Sequence, residues 1–154
     1  MTSLCPCKSG LEFSKCCKPI IEREKTPLDA LELMRSRYSA YATKSIEYLL
    51  DTSCEVINRA KERVDIKAFT DGAYFQHLEI VNSQEYIVEF KAYFIMDKKQ
   101  QLLHEKSNFI YNSNGSLCYK DGKTELTTFT PKRNSICICG SRKKYKQCCS
   151  KLVF

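Results

Sequence analysis

The spacing of hydrophobic positions changes near residue 73, from a helical period to a period of two. Before it, Leu31, Met34, Tyr38 and Tyr41 recur every three or four residues, joined by Ala42, which predicts a helix with one buried stripe. Arg35, Arg37 and Lys44 fall largely off that stripe. Thr26-Pro27-Leu28-Asp29 reads as the helix start, with a capping threonine, proline at the first helical position and an acid three residues after the cap. A shorter helix is expected around Tyr48, Leu49 and Leu50, and the charged run NRAKERVD reads as a solvated turn or helix.

After residue 73, Tyr86, Val88, Phe90, Ala92 and Phe94 alternate with a mixed face, and similar runs occupy 74–81 and 102–111. Asn112-Ser113-Asn114-Gly115 and Asp121-Gly122 read as hairpin turns, giving an antiparallel meander of three or four strands packed on the helices. The predicted class is α+β. His104 and Glu105 are neighbours on one of these strands, so they face opposite sides of the sheet and cannot form one acid-base pair without a bulge. Each is read as packed or hydrogen-bonded.

With 154 residues, the chain is long enough for one ordinary domain with small flanking elements, and 43% hydrophobic with 28% charged residues is a soluble globular composition. No apolar run approaches the roughly 20 residues that span a bilayer. The N-terminus lacks a basic region followed by an apolar one, so no secretory signal is expected and the expected location is the cytoplasm.

That location decides how ten cysteines are read, because disulfides rarely persist in a reducing cytosol and clustered thiolates bind metal there. Cys5, Cys7, Cys16 and Cys17 have the form Cys-x-Cys, eight residues, Cys-Cys; Cys137, Cys139, Cys148 and Cys149 repeat it. Each set supplies the four ligands of a tetrahedral zinc, so the expectation is two Zn2+ per chain in closed, structural sites without an open position for catalysis. Ser9 and Glu12 have the capping-box form, which predicts a short helix after Ser9, ending before Pro19, with Cys16 and Cys17 in its last turn. Phe13 and Tyr145, three residues before each Cys pair, are candidate lids over the metal. Cys54 and Cys118 stand alone and read as small buried hydrophobes.

The formal charge of +7 is concentrated at one end. From Pro131 to Phe154 there are seven basic residues and no acidic one. Arg142, Lys143, Lys144 and Lys146 with the Tyr145 ring combine cations and a stacking group, the chemistry used on phosphates, bases, anionic lipid heads or acidic proteins. The bland reading of such a run is a solvated face.

The cysteine clusters resemble the SEC-C motif, the short zinc-binding element at the C-terminus of the protein-export motor SecA. Cys5, Cys7, Ser9, Gly10, Cys16 and Cys17 carry the resemblance in one copy, and Cys137, Cys139, Gly140, Ser141, Tyr145, Cys148 and Cys149 in the other. Each copy lacks one glycine of the pattern, with Lys8 and Arg142 in those places.

Between them, LMRSRYSAYA at 33–42, LHEKSNFIY at 103–111 and YKDGK at 119–123 resemble the bacterial YchJ family (UPF0225), in which an NTF2-like domain sits between two SEC-C motifs. The family's usual tryptophans are absent, with Cys118-Tyr119 and Tyr74-Phe75 near their places. The resemblance implies an NTF2-like cone of helices on a curved antiparallel sheet over 25–130, with zinc knuckles over 1–24 and 131–154. The SEC-C resemblance implies export factors or ribosomes as partners.

Two functions compete at this point. In the first, the protein is a zinc-binding cytoplasmic adaptor whose basic knuckle contacts a protein, ribosome, nucleic acid or other anionic partner. In the alternative, it is an enzyme or small-ligand-binding protein that uses the NTF2-like cavity, for which Arg35, Arg37, Tyr38, Tyr41, His104 and Glu105 are candidate lining residues. No catalytic set is assembled from them.

Overall fold

Asp29 opens the central helix by accepting a hydrogen bond from the Glu32 backbone N–H at 2.8 Å, while the Glu32 carboxylate accepts from the Leu28 N–H at 2.6 Å. This near-reciprocal cap starts the helix at Ala30, later than Thr26-Pro27 suggested, because Asp29 rather than Thr26 supplies the capping oxygen. The computed structural model describes residues 3–153, so Met1, Thr2 and Phe154, the outermost residues of the two expected knuckles, lie outside the described residues. The helices are α1 (Lys18–Ile21), α2 (Ala30–Ala42), α3 (Ile46–Asp51) and α4 (Arg59–Gly72). The strands are β1 (Tyr74–Gln84), β2 (Ile87–Met96), β3 (Lys99–Tyr111) and β4 (Leu117–Phe129), paired antiparallel in the order β1-β2-β3-β4.

α2 packs between the sheet and α3 and is buried on more than the one expected stripe. Tyr38 and Tyr41 face the sheet, where both rings pack on Phe75. The opposite side meets α3: the Ser36 hydroxyl lies 2.6 Å from the Tyr48 hydroxyl, and Arg37 Nη1 donates to the carbonyl of Leu49 at 2.9 Å and to Thr52 Oγ1 at 2.7 Å. Arg37 is therefore buried rather than off the stripe, its guanidinium satisfying the carbonyl end of α3. The NRAKERVD run lies mostly within α4, which Asn58 caps and in which Thr70 is the buried residue.

Asn112-Ser113-Asn114-Gly115 forms the expected hairpin, with Asn112 Oδ1 accepting from the backbone N–H of Asn114 and Ser116 and with Gly115 at φ +75°. Asp121-Gly122 does not turn the chain. It continues β4, paired with Asn108 and Ser107 next to a register shift at Asn108/Phe109. The glycine is there for space: a Cβ at Gly122 would lie 2.7 Å from Glu105 Cδ and 2.9 Å from the Tyr119 hydroxyl. The β2–β3 turn uses Asp97 and Lys98, both at positive φ, without the glycine that would have marked it.

Cys54 and Cys118, expected to stand alone, form a disulfide. A short parallel bridge between Ser53 and Tyr119 holds the segment after α3 against β4, with Cys54 N–H donating to the Tyr119 carbonyl at 2.8 Å, and brings the two Cα atoms to 5.1 Å. A separation of 64 residues leaves no local spacing by which such a pair could be read.

Candidate metal centres

The repeat seen in the cysteines is also a repeat of backbone geometry. In the first copy Cys5 N–H donates to the Leu11 carbonyl at 2.8 Å and Phe13 N–H to Ser3 at 2.9 Å; in the second, Cys137 N–H donates to Lys143 and Tyr145 N–H to Ser135, both at 2.8 Å. Leu4 bridges Glu12 as Ile136 bridges Lys144. The turn between the first cysteine pair and the helical segment needs two left-handed residues, supplied by Lys8 (φ 61°) and Gly10 (φ 86°) in one copy and Gly140 (φ 83°) and Arg142 (φ 65°) in the other. The missing glycines thus leave the turn unchanged, at a cost of about 1–2 kcal/mol for each non-glycine residue.

The capping-box helix does not form. Ser9 accepts instead from the Leu11 N–H, a 3-10 turn covers Phe13–Lys15, and Pro19 sits in the first turn of α1 rather than stopping a helix. Cys16 lies at the break, at φ −117°, ψ −99°, and Cys148 repeats this at φ −132°, ψ −111°. That break resolves the geometric problem of adjacent ligands, since regular helix would point their side chains about 100° apart.

All four sulfurs of each cluster lie within 4.8 Å of one another. Cys7 and Cys16 are 3.6 Å apart, Cys16 and Cys17 3.8 Å, and Cys139 and Cys148 3.5 Å. An ion with four bonds of about 2.3 Å has a tetrahedral edge of about 3.8 Å, so the sulfurs already stand at ligand spacing. Both clusters can hold a metal ion.

Polar groups surround the sulfurs. Ser9 Oγ lies 3.2 Å from Cys16 Sγ, and Ser141 Oγ the same distance from Cys148 Sγ. Ser39 of α2 reaches Cys5 Sγ at 3.4 Å, and Arg35 Nη1 donates to the Cys7 carbonyl at 2.8 Å. The buried Gln76 amide, which has no formed hydrogen bond at Nε2, approaches Cys149, whose thiol is pushed up by burial with Gln76 opposing only part of that rise. Hydrogen bonds from Cys17 and Cys5 hold the Cys7 thiol far below its usual range, whereas burial pushes Cys16 up to about 11. Burial would raise Cys139, but hydrogen bonds from Ser141, Cys148 and Cys137 outweigh it and bring the thiol down to about 6. A divalent cation held by four cysteines would displace the protons that remain on their thiols.

Of the candidate lids, Phe13 is half-buried against the main core, and Tyr145 is buried with Cys137, Cys149 and Ile95. Tyr145 is only 4% exposed, so it is not available as a stacking ring, whereas Arg142, Lys143, Lys144 and Lys146 are exposed. The spacing of the cysteines could not indicate Ser39, Arg35 or Gln76, which reach the clusters from α2 and β1; only Ser9 and Ser141 were visible, as part of the repeat.

Arg37, Tyr38, Tyr41 and Glu105 line one cavity between α2 and the sheet. Arg35 and His104 do not: Arg35 belongs to the first cluster, and His104 pairs with Glu89 at 3.1 Å on the other face of the sheet.

Comparison with known proteins agrees with this geometry. Residues 29–122 match the family model of the YchJ middle NTF2-like domain, and residues 1–19 and 133–151 match the SEC-C motif. The chain is similar to a UPF0225 protein of Photorhabdus laumondii (39% identity, covering 97% of this chain and 99% of that one). It is also similar to one of Actinobacillus succinogenes (34% identity, 97% of each). Among solved structures, it resembles a SEC-C motif-containing protein of Psychrobacter arcticus (TM-score 0.63, 27% identity, 96% of this chain and 95% of that one). A second, from Rhodopseudomonas palustris, has a TM-score of 0.66 at 28% identity, over 80% of this chain and 98% of that one. With an NTF2-like domain held between two four-cysteine SEC-C knuckles, the chain belongs to the YchJ, or UPF0225, family.

Proposed function

We propose that the protein is a cytoplasmic adaptor that binds one Zn2+ in each knuckle and uses the basic face around the second knuckle to contact an anionic macromolecule, a ribosome or an export factor. Zinc is favoured because four thiolates at tetrahedral spacing suit a structural site with no open position. The eight ligand thiols demand reducing conditions, which supports the cytoplasm, although the Cys54–Cys118 pair favours the opposite. No helix among the described residues is long and apolar enough to cross a membrane.

The observation that carries the adaptor reading is that the cations around the second knuckle have no acid among them, with seven basic residues and no acidic one from Pro131 to Phe154. On α4, Arg59 and Arg63 pair with Glu47, Lys61 with Asp65 and Lys67 with Asp71. Among the described residues, Arg133, Arg142, Lys143, Lys144, Lys146 and Lys151 form no ion pair, and neither do Lys98 and Lys99 on the β2–β3 turn. Lys98, Lys99, Arg133, Lys146 and Lys151 border one cleft of about 660 Å³ between the sheet end and the knuckle. A solvated face would be interspersed with acids, as α4 is; an unneutralised one raises the local concentration of anions. SEC-C likeness to the SecA element supports an export or ribosomal partner.

Two measurements test this. Metal analysis of protein purified without chelator should give two zinc ions per folded chain; a value near zero would overturn the ligation. Purified ribosomes and SecA-type export factors should bind at low salt and release as salt rises, and Cys137→Ser/Cys139→Ser or a Lys143→Glu/Lys144→Glu/Lys146→Glu variant should lose binding. Absence of binding to both partners at low salt, with zinc in place, would remove the adaptor reading.

A further inference from the structure

We infer that the cavity between α2 and the sheet is a binding site for a small organic ammonium ion, a protonated amine carried on one apolar ring, with Glu105 as its counter-ion. The cavity measures about 190 Å³. An engineered apolar core cavity of about 150 Å³ takes benzene, so this one has room for a single ring with a short polar arm. Its walls are mainly aromatic, with Tyr38 and Tyr41 from α2, Phe75 from β1 and Phe90 and Phe94 from β2. Aromatic rings attract a cation wherever it meets a ring face, the negative part of the ring quadrupole.

One carboxylate stands in this wall. Glu105 is 8% exposed; its Oε1 accepts from the Ser107 hydroxyl at 2.6 Å and from the Tyr119 hydroxyl at 3.0 Å. Among the described residues, no donor reaches Oε2 and no cation lies within ion-pair distance. A buried carboxylate without a cation is costly, so a built site that holds one this way fits a ligand that brings the charge and the N–H donors.

Arg37, the cation that also lines the cavity, is anchored away from Glu105 through Nη1. Its Nη1 donates to Leu49, Thr52 and Ser53 at the end of α3, and its guanidinium lies over the Tyr119 ring at 4.8 Å. It fixes Tyr119, and Tyr119 in turn orients Glu105. Gly122 completes the arrangement, since a side chain there would displace the carboxylate. Two strands and a helix thus hold Glu105 in one place with one oxygen left over.

The site is independent of any macromolecular partner and is tested without one. The zinc-loaded full chain is titrated with benzylamine, benzyl alcohol and benzoate, followed by chemical-shift changes at cavity residues. Benzylamine should bind at least about tenfold tighter than benzyl alcohol, a difference of about 1.4 kcal/mol, and benzoate more weakly than either. Glu105→Gln, which can keep the Ser107 and Tyr119 contacts, should bring benzylamine to the level of benzyl alcohol, while Ala92→Leu, which fills the cavity, should abolish both. Equal affinity for amine and alcohol in the native protein overturns the inference, as do tighter benzoate binding, an amine preference that survives Glu105→Gln, and no binding of any ring compound.

Discussion

Lys8 Nζ donates to the carbonyl of Cys139 at 3.3 Å, a contact between residues 131 positions apart that joins the loops of the two knuckles. The central domain therefore brings the knuckles together rather than holding them apart. Lys8 also occupies a left-handed position where the second copy has Gly140, so the residue that strains the first loop is the one that reaches the second.

Removing that amine should loosen one knuckle without emptying it. Lys8→Ala is expected to leave zinc content unchanged while backbone amides at Gly140–Arg142 exchange up to about fivefold faster, matching the loss of about 1 kcal/mol for one hydrogen bond. Hydrogen exchange by mass spectrometry reads this directly, and unchanged protection would mean the contact does not hold the loops in solution.

The left-handed turns make a second prediction. Neither Gly10 nor Gly140 would bring a Cβ within 4 Å of any neighbour, so substitution there acts through φ alone. Gly10→Ala and Gly140→Ala should each weaken zinc binding at their own cluster by about 1 kcal/mol, or roughly fivefold in chelator competition. A loss confined to one copy would mean that the two loops are not equivalent.

Acid behaviour is set partly at the α3–α4 junction. Hydrogen bonds from Arg63 and Arg59, at 2.5 and 2.9 Å, hold the Glu47 carboxyl down at about 2. A depressed carboxylate contributes stability fully above its unfolded value of about 4.3, and that contribution disappears as pH falls through about 2. The stability difference between the native protein and Glu47→Gln should be constant above about pH 5.5, fall as pH drops through about 4, and vanish below about pH 2. Because the group is exposed, the difference should also shrink in high salt; a difference independent of pH would assign Glu47 a packing role.

What could be read from the sequence follows the range of each interaction. The cysteine spacing is local and occurs twice, so the ligand sets were legible; period two likewise placed the strands. Arg37 was legible as a candidate cavity residue but not as a buried one, because its acceptors lie on the next helix, and Tyr145 looked like a stacking ring because its burial against Ile95 depends on where the knuckle docks. The Cys54–Cys118 pair and the reach of Ser39, Arg35 and Gln76 to the sulfurs depend on tertiary contacts that no local period records. Asp121-Gly122 carries a turn signature, but at this position space beside Glu105 decided the residue.

That last case gives the sharpest test of the cavity wall. A Cβ at Gly122 would press on both the Glu105 carboxyl carbon and the Tyr119 hydroxyl, so Gly122→Ala should cost about 1–3 kcal/mol, the range for overpacking a filled interior. The cause is a specific neighbour, because φ at Gly122 is not left-handed and alanine suits the strand at least as well as glycine. Removing the nearer neighbour should then remove most of the cost: in a Glu105→Ala background, which clears the nearest atoms and frees the Tyr119 hydroxyl to shift, Gly122→Ala should cost clearly less. The double-mutant cycle from denaturant midpoints should therefore show a coupling of about 1 kcal/mol or more between the two sites. Additive costs would mean that the carboxylate is free to move aside, and a carboxylate free to move would not be the fixed counter-ion on which amine binding depends.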